Sequence, residues 1–144
     1  METQSYANHR QIVPMFHYVL FFMLVLTVIG SLVNLYESWG DHQRLYSASL
    51  IAVLSIGILM LTGFCRMFSV KAQDRAIRAE ESLRHFVLTG KLPDSRLSIH
   101  QIIALRFASD GEFIELSRRA AEENLAPDAI KRAVKQWKAD TYRV

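Results

Sequence analysis

Two long uncharged runs fill the first half of the chain, and a charged, helix-like pattern fills the second. From Gln11 to Tyr36 there is no Asp, Glu, Lys or Arg, and from Leu45 to Cys65 again none. A bilayer core about 30 Å thick takes about 20 helical residues to cross. Ile12 to Tyr36 is long enough to cross with some tilt, and Leu45 to Cys65 is long enough as well. The short polar link Glu37 to Arg44 forces an antiparallel hairpin. The pattern therefore predicts an all-α fold, with an N-terminal segment at 1–11, transmembrane helices at 12–36 and 45–65, and a loop at 37–44.

A cleaved signal peptide is the competing reading of the first run. That run is too long for a typical signal core, Glu2 weakens a positive leader, and no small-residue cleavage pattern precedes Glu37. A retained span is expected. Basic residues near span ends set orientation. The loop has Arg44 beside Glu37 and Asp41, whereas Arg66, Lys71, Arg75 and Arg78 follow the second span. The loop is thus expected outside and both termini in the cytoplasm, which agrees with Arg10 and the α-amino group. Tyr36, Trp39 and Tyr46 cluster near the outer ends, as interfacial aromatics do.

Helices in lipid gain little from apolar contact alone, so small and polar residues mark their seam. Thr27, Gly30, Ser31 and Asn34 on the first span, with Ala48, Ala52, Ser55 and Thr62 on the second, are the expected hairpin seam. Asn34 is the most polar candidate for an interhelical hydrogen bond. His17 is the titratable side chain within a span. Haem ligation would need a second axial ligand, and the second span has no histidine, so a neutral interfacial role is expected.

From Phe64 to Thr89 no Pro or Gly interrupts the chain. The second span should run on as a stalk helix at 66–89. Phe68, Ala72, Ala76, Ala79, Leu83 and Phe86 repeat at steps of four and three, the spacing of a packing seam. That seam serves either self-association or docking of the helix on its own tail. Asp74 with Arg78 and Glu80 with Arg84 are spaced as i,i+4 pairs.

Gly90 and Pro93 mark a break, with a linker at 90–97 and a small helical domain at 98–144. Ser98 with Gln101 reads as a capping box, and Ser109 with Glu112 repeats it. Pro127 suits the first turn of a last helix carrying Ile130, Val134 and Trp137. Three helices of about 10–13 residues would share a core too small to be stable alone, so the domain should lean on the stalk or a partner.

Composition adds exclusions. The formal net charge is +3, and 15 of the 17 Lys and Arg follow Cys65. The lone Cys65 excludes an internal disulfide and a cysteine zinc site, and it reads as a small hydrophobe. No Gly-rich phosphate loop, His-Glu-x-x-His or nucleophile beside a histidine occurs, so neither an enzyme nor a cofactor site is expected. Glu80-Glu81 and Glu122-Glu123 point apart on a helix and read as solvated. The stretch from Leu97 to Trp137 superficially resembles a helix-turn-helix opening a recognition helix at Leu125 to Arg132. Residues 97–144 hold eight basic and seven acidic side chains, too balanced for a nucleic-acid footprint. Lys131, Arg132, Lys135 and Lys138 form a basic face that is solvated or rests on an anionic leaflet. Tyr142-Arg143-Val144 is a free apolar end of the kind that docks in peptide grooves.

Several stretches carry a family resemblance: Tyr6-Ala7-Asn8-His9-Arg10 with Pro14 and His17, Gln73 to Arg78 with Glu80-Glu81 and Leu83-Arg84, Gln101 to Asp110, and Ala129 to Trp137. In these the chain resembles a bacterial two-span membrane family, domain of unknown function 6526, over nearly its whole length. The resemblance implies a bacterial inner-membrane protein and supplies no activity. The expected role is a membrane-anchored interaction or scaffold protein whose partners are the bilayer and a protein or second copy, with Gln73, Asp74, Arg75, Arg78 and Arg106 as interaction residues. The alternatives are an accessory subunit of a larger membrane complex and a membrane-tethered nucleic-acid-binding regulator.

Overall fold

A computed structural model describes residues 4–9 and 11–140. Expectations resting on Glu2, Arg10, the amino terminus and Tyr142-Arg143-Val144 lie outside these residues. The fold is all-α: among the described residues there are five helices and no strand. A π-helical turn, Met15–Leu20, leads into α1 (Phe21–Glu37), followed by α2 (His42–Thr89), α3 (Ile99–Leu105), α4 (Asp110–Glu122) and α5 (Pro127–Ala133). The chain divides into two compact units. One is Ile12–Phe68; the other is built from the described residues of Met1–Gln11 and Ser69–Val144.

Helix ends follow local chemistry. Pro14 stands just before the first turn, where its missing N–H is no loss, so the first helix opens at Met15 rather than at Ile12. The loop is shorter than expected because Asp41 caps α2. Its Oδ1 accepts from Gln43 N at 3.1 Å and Arg44 N at 3.3 Å, which starts the helix at His42. Gly40, at φ +101°, makes the turn before it. The second run and the stalk sequence form one helix, and Gly90 ends it at φ +73° with its N–H on Phe86 O at 2.7 Å.

In the unit Ile12–Phe68, the inward stripe of α1 is Leu24 and Ser31, continued by its C-cap Ser38, and that of α2 is Ala48, Ala52 and Ser55. Ser31 Oγ lies 2.9 Å from Ser55 Oγ, and both side chains are buried. Small residues let two backbones approach, and a hydroxyl pair supplies the polar contact. Thr27, Gly30 and Asn34 are exposed, so the expected stripe on α1 needs correction. At ~100° per residue they lie to one side of the Leu24–Ser31–Ser38 line. Thr27 donates its hydroxyl to Met23 O at 2.8 Å on its own helix. Ser31, not Asn34, makes the interhelical hydrogen bond. Large apolar side chains, including Phe21, Phe22, Leu26, Ile29, Val53, Leu54 and Leu61, face outward. Met15–Glu37 and His42–Thr89 are each long and apolar enough to cross a membrane.

In the other unit, Leu105, Phe113, Leu116, Ala120, Ile130 and Val134 form the core, flanked by Ile114, Leu125 and Trp137. The Ser98 capping box is formed: its Oγ accepts from Gln101 N at 3.3 Å, and Gln101 Oε1 accepts from Ser98 N at 2.7 Å. Gln101 Nε2 also donates to Leu125 O at 2.9 Å, pinning the turn before α5. Pro127 begins α5 as expected.

The second capping box does not form, and α5 stops before Trp137. The two departures have one cause. Val134 turns extended, and the following residues lie antiparallel to 107–109, with Ser109 N on Gln136 O at 3.1 Å and Lys138 N on Phe107 O at 2.8 Å. That turn leaves the N–H groups of Lys135 and Gln136 without helical partners. The Glu112 carboxylate accepts both, at 3.1 and 2.9 Å, instead of closing a box with Ser109. Trp137 is thereby carried back against the Phe107 ring, with centroids 4.9 Å apart.

The stalk half of α2 turns Ile77 and Glu81 inward, flanked by partly buried Gln73, Arg84 and His85. The apolar seam residues Phe68, Ala72, Ala76, Ala79, Leu83 and Phe86 are exposed. The tail therefore docks on a largely polar stripe of the stalk and not on the apolar seam.

The serine pair gives a discriminating substitution. Ser31→Leu forces a large side chain into a closed seam and should destabilise the detergent-solubilised chain by about 1–3 kcal/mol. Asn34→Leu, three residues on, should leave the unfolding midpoint unchanged.

Candidate functional site

The densest network of polar side chains described lies on the unit that joins stalk, tail and N-terminal segment. Its centre is Arg84. The guanidinium donates to Glu81 Oε2 at 3.0 Å, to Asp110 Oδ1 at 2.7 Å and to Ala108 O at 2.8 Å. Its Cζ stands 4.3 Å over the Phe113 ring. One side chain of α2 thus satisfies the first residue of α4, the turn before it and a core aromatic. Glu81 and Arg84 expose only 8% and 11% of their side chains, so each depends on the other for its charge. The Arg84 guanidinium holds the Asp110 carboxyl below its usual value. The N-terminal end of α4 favours the same ionised form.

Beside this junction is an open groove of about 400 Å³, lined by Gln73, Ala76, Ile77, Glu80 and Glu81 from α2 and by Arg106, Lys138, Ala139 and Asp140 from the tail. Arg106 pairs with Asp140 at 2.7 Å and lies 4.4 Å over the Phe107 ring. The lining holds charges of both signs.

The N-terminal segment closes the other side of the tail. Tyr6 OH donates to Asp128 Oδ1 at 2.7 Å and accepts from Arg132 Nε at 3.1 Å, while Arg132 also pairs with Asp128 at 2.8 Å. Gln4 and the Asp140 backbone exchange two hydrogen bonds, at 2.7 and 3.3 Å. The His9 ring packs near Phe107 and Trp137, and Lys131 Nζ lies 3.2 Å from its Nε2. The Tyr6 hydroxyl, and then Arg132, hold the Asp128 carboxyl below its ordinary value. The basic residues that would open a recognition helix are thus engaged by the chain's own first residues.

Residues 1–144 match a family model described as "Family of unknown function (DUF6526)". The chain belongs to this family. No curated protein and no solved structure matches it.

Of the interaction residues expected from sequence, this DUF6526 chain brings Gln73 and Arg106 together on the groove. Asp74 is half-buried, and Arg75 and Arg78 are exposed away from the groove lining. Two expected ion pairs need correction. Arg84 pairs with Glu81, three residues before it, because Glu81 shares the tail-facing side; Glu80 stands at the groove rim. No ion pair joins Asp74 to Arg78 among the described residues. Glu81 is also not solvated: it is 6% exposed. Glu122 and Glu123 are exposed, paired with Arg118 and Arg119. Sequence reasoning missed Arg84 as the junction, though its reach to both Glu80 and Glu81 was a usable signal. It missed Tyr6, since 122 residues separate it from Asp128 and no local pattern links them.

Two outcomes follow for this unit. Arg84→Met strands the buried Glu81 and should cost about 3 kcal/mol or more in denaturant unfolding of the full chain. Asp110 and Asp128 have folded-state values below 3.8, so their contribution is complete above that pH and is lost as pH falls through the lower folded values. Trp137 fluorescence, which senses the docked His9, should therefore change on acidification below about pH 4. Asp128→Asn should remove part of that acid dependence.

Proposed function

We propose that this chain is a membrane-anchored scaffold of the bacterial inner membrane, without catalytic activity of its own, whose cytoplasmic helical unit binds a protein partner. One observation carries the reading. Tyr6 near one end of the chain bonds to Asp128 and Arg132 near the other, and two helices able to cross a membrane lie between them. Ends that meet must lie on one side, so the number of crossings between them is even. A two-span hairpin meets that constraint. The basic residues Arg66, Lys71, Arg75 and Arg78 after the second span support a cytoplasmic location for the shared side.

The partner-binding role rests on what this unit offers: a groove of mixed charge with Gln73 and Arg106 on its rim, and exposed Arg75 and Arg78. Recognition suits this lining, which carries charges of both signs and pairs Arg106 with Asp140 across the tail. No observation favours the nucleic-acid reading, because Lys131 and Arg132 face His9 and Tyr6.

Reporter fusions at Gly40 and Val144 test the topology and should report opposite sides of the membrane. The same side for both would refute the hairpin. Purification of the full chain in mild detergent tests the role. A stoichiometric protein complex is expected, and loss of that complex on Arg106→Ala would place the groove in the contact.

A further inference from the structure

We propose that two copies of this chain pair in parallel along the stalk half of α2, through Ala72, Ala76, Ala79, Leu83 and Phe86. The proposal deepens the scaffold reading and rests on its hairpin. The tail uses the stripe of Gln73, Ile77, Glu81 and Arg84, and at ~100° per residue the seam centres roughly 135° round the helix from it, with Ala76 and Glu80 at the edge of the tail groove. The tail therefore leaves the seam open: Leu83 and Phe86 are 63% and 49% exposed, and the three alanines are exposed with them. The seam residues follow one another at steps of four, three, four and three, the a/d repeat of a two-stranded coiled coil. Alanine at three of the five positions permits close approach of two backbones.

Charge selects the occupant. Two copies inserted the same way in one bilayer have stalks that run in the same direction, so the pairing must be parallel. In a parallel pair, the residue flanking the seam on one helix meets the residue five places further along its partner. With Ala76 and Leu83 at a, and Ala72, Ala79 and Phe86 at d, those flanking positions include Arg75 and Glu80. Arg75 of each copy then meets Glu80 of the other, twice over by symmetry. Both side chains are exposed. The remaining flanks, Gln73, Ser82, Val87 and Thr89, bring no like charges together. A seam this short would not hold two free helices. Tethering both copies in one membrane raises their effective concentration enough to make a weak seam productive.

The test uses the full chain in lipid vesicles, with Cys65→Ser to remove the native thiol. Oxidation should link Ala79→Cys or Leu83→Cys variants into dimers and leave Arg78→Cys, on another face, unlinked. In the Ala79→Cys background, Arg75→Glu or Glu80→Arg should lower the dimer yield about tenfold, since two attractive pairs become two repulsive ones. The double reversal should restore it. Equal linking at 78 and 79, or no rescue by the double reversal, overturns the proposal, as does a different protein or the lipid surface covering the seam. Loss of the dimer with Gly40 and Val144 reporters still on opposite sides removes this inference alone. Reporters on the same side remove the hairpin and, with it, the parallel constraint.

Discussion

The contact between the chain's first residues and its tail constrains everything between them. Tyr6 is held from both sides by Asp128 and Arg132, Gln4 pairs with the Asp140 backbone, and His9 packs near Phe107 and Trp137. Charge-assisted hydrogen bonds of this kind are roughly twice as strong as neutral ones. They act together with an aromatic cluster, so the segment is fixed by several contacts and not by one. Whatever the intervening helices do, they must return the chain to where it started. In the proposed bilayer setting, that requirement excludes a single crossing more firmly than hydropathy alone does.

The same unit solves a second problem. Its core is drawn from α3, α4 and α5, with helices of 7, 13 and 7 residues, and short helices of this kind are marginal alone. The stalk supplies the missing support through polar contacts. Arg84 reaches Glu81, Asp110 and the Ala108 carbonyl while its flat face covers Phe113. Because a buried charge is tolerated only when fully partnered, this junction fixes the rotation of α2 about its own axis. A purely apolar contact would allow slippage. The rotation, in turn, determines which face of the helix is left for other contacts.

Much of the helical pattern was legible in sequence because it follows from local rules. The uncharged runs, the Gly90 stop, the Ser98–Gln101 box and Pro127 at a helix start each depend on residues a few positions apart. Most of the misses in the tail are cases where a distant segment competed for a local partner. Glu112 was drawn away from Ser109 by two backbone N–H groups exposed when the chain turned at Val134. Trp137 left the helix for the same turn. Arg84 chose Glu81 over Glu80 because the tail lies on that side. Asn34 was preferred for its polarity, whereas the geometry of the helix pair selected the smaller Ser31. Of the candidate site, Gln73 and Arg106 were readable as polar positions, but their meeting at one groove depends on the docking of the tail, which no local pattern encodes.

An apolar stripe turned away from the tail is costly to leave in water, and more so on a helix whose other side is already committed to charge. Full burial of a Leu or Phe is worth about 1.5–3 kcal/mol, and Leu83 and Phe86, 63% and 49% exposed, forgo part of it. A helix meant to serve only its own tail would gain by placing Leu83 and Phe86 inward and Glu81 outward, since the tail core is apolar. The chain has the reverse arrangement. The polar side carries the specificity of the internal fold, through hydrogen bonds that accept one rotation only, and in the proposed pairing the apolar side serves the second copy. Under the proposed scaffold reading, that division would let association vary without disturbing the Arg84 junction, whose partners all lie within one chain.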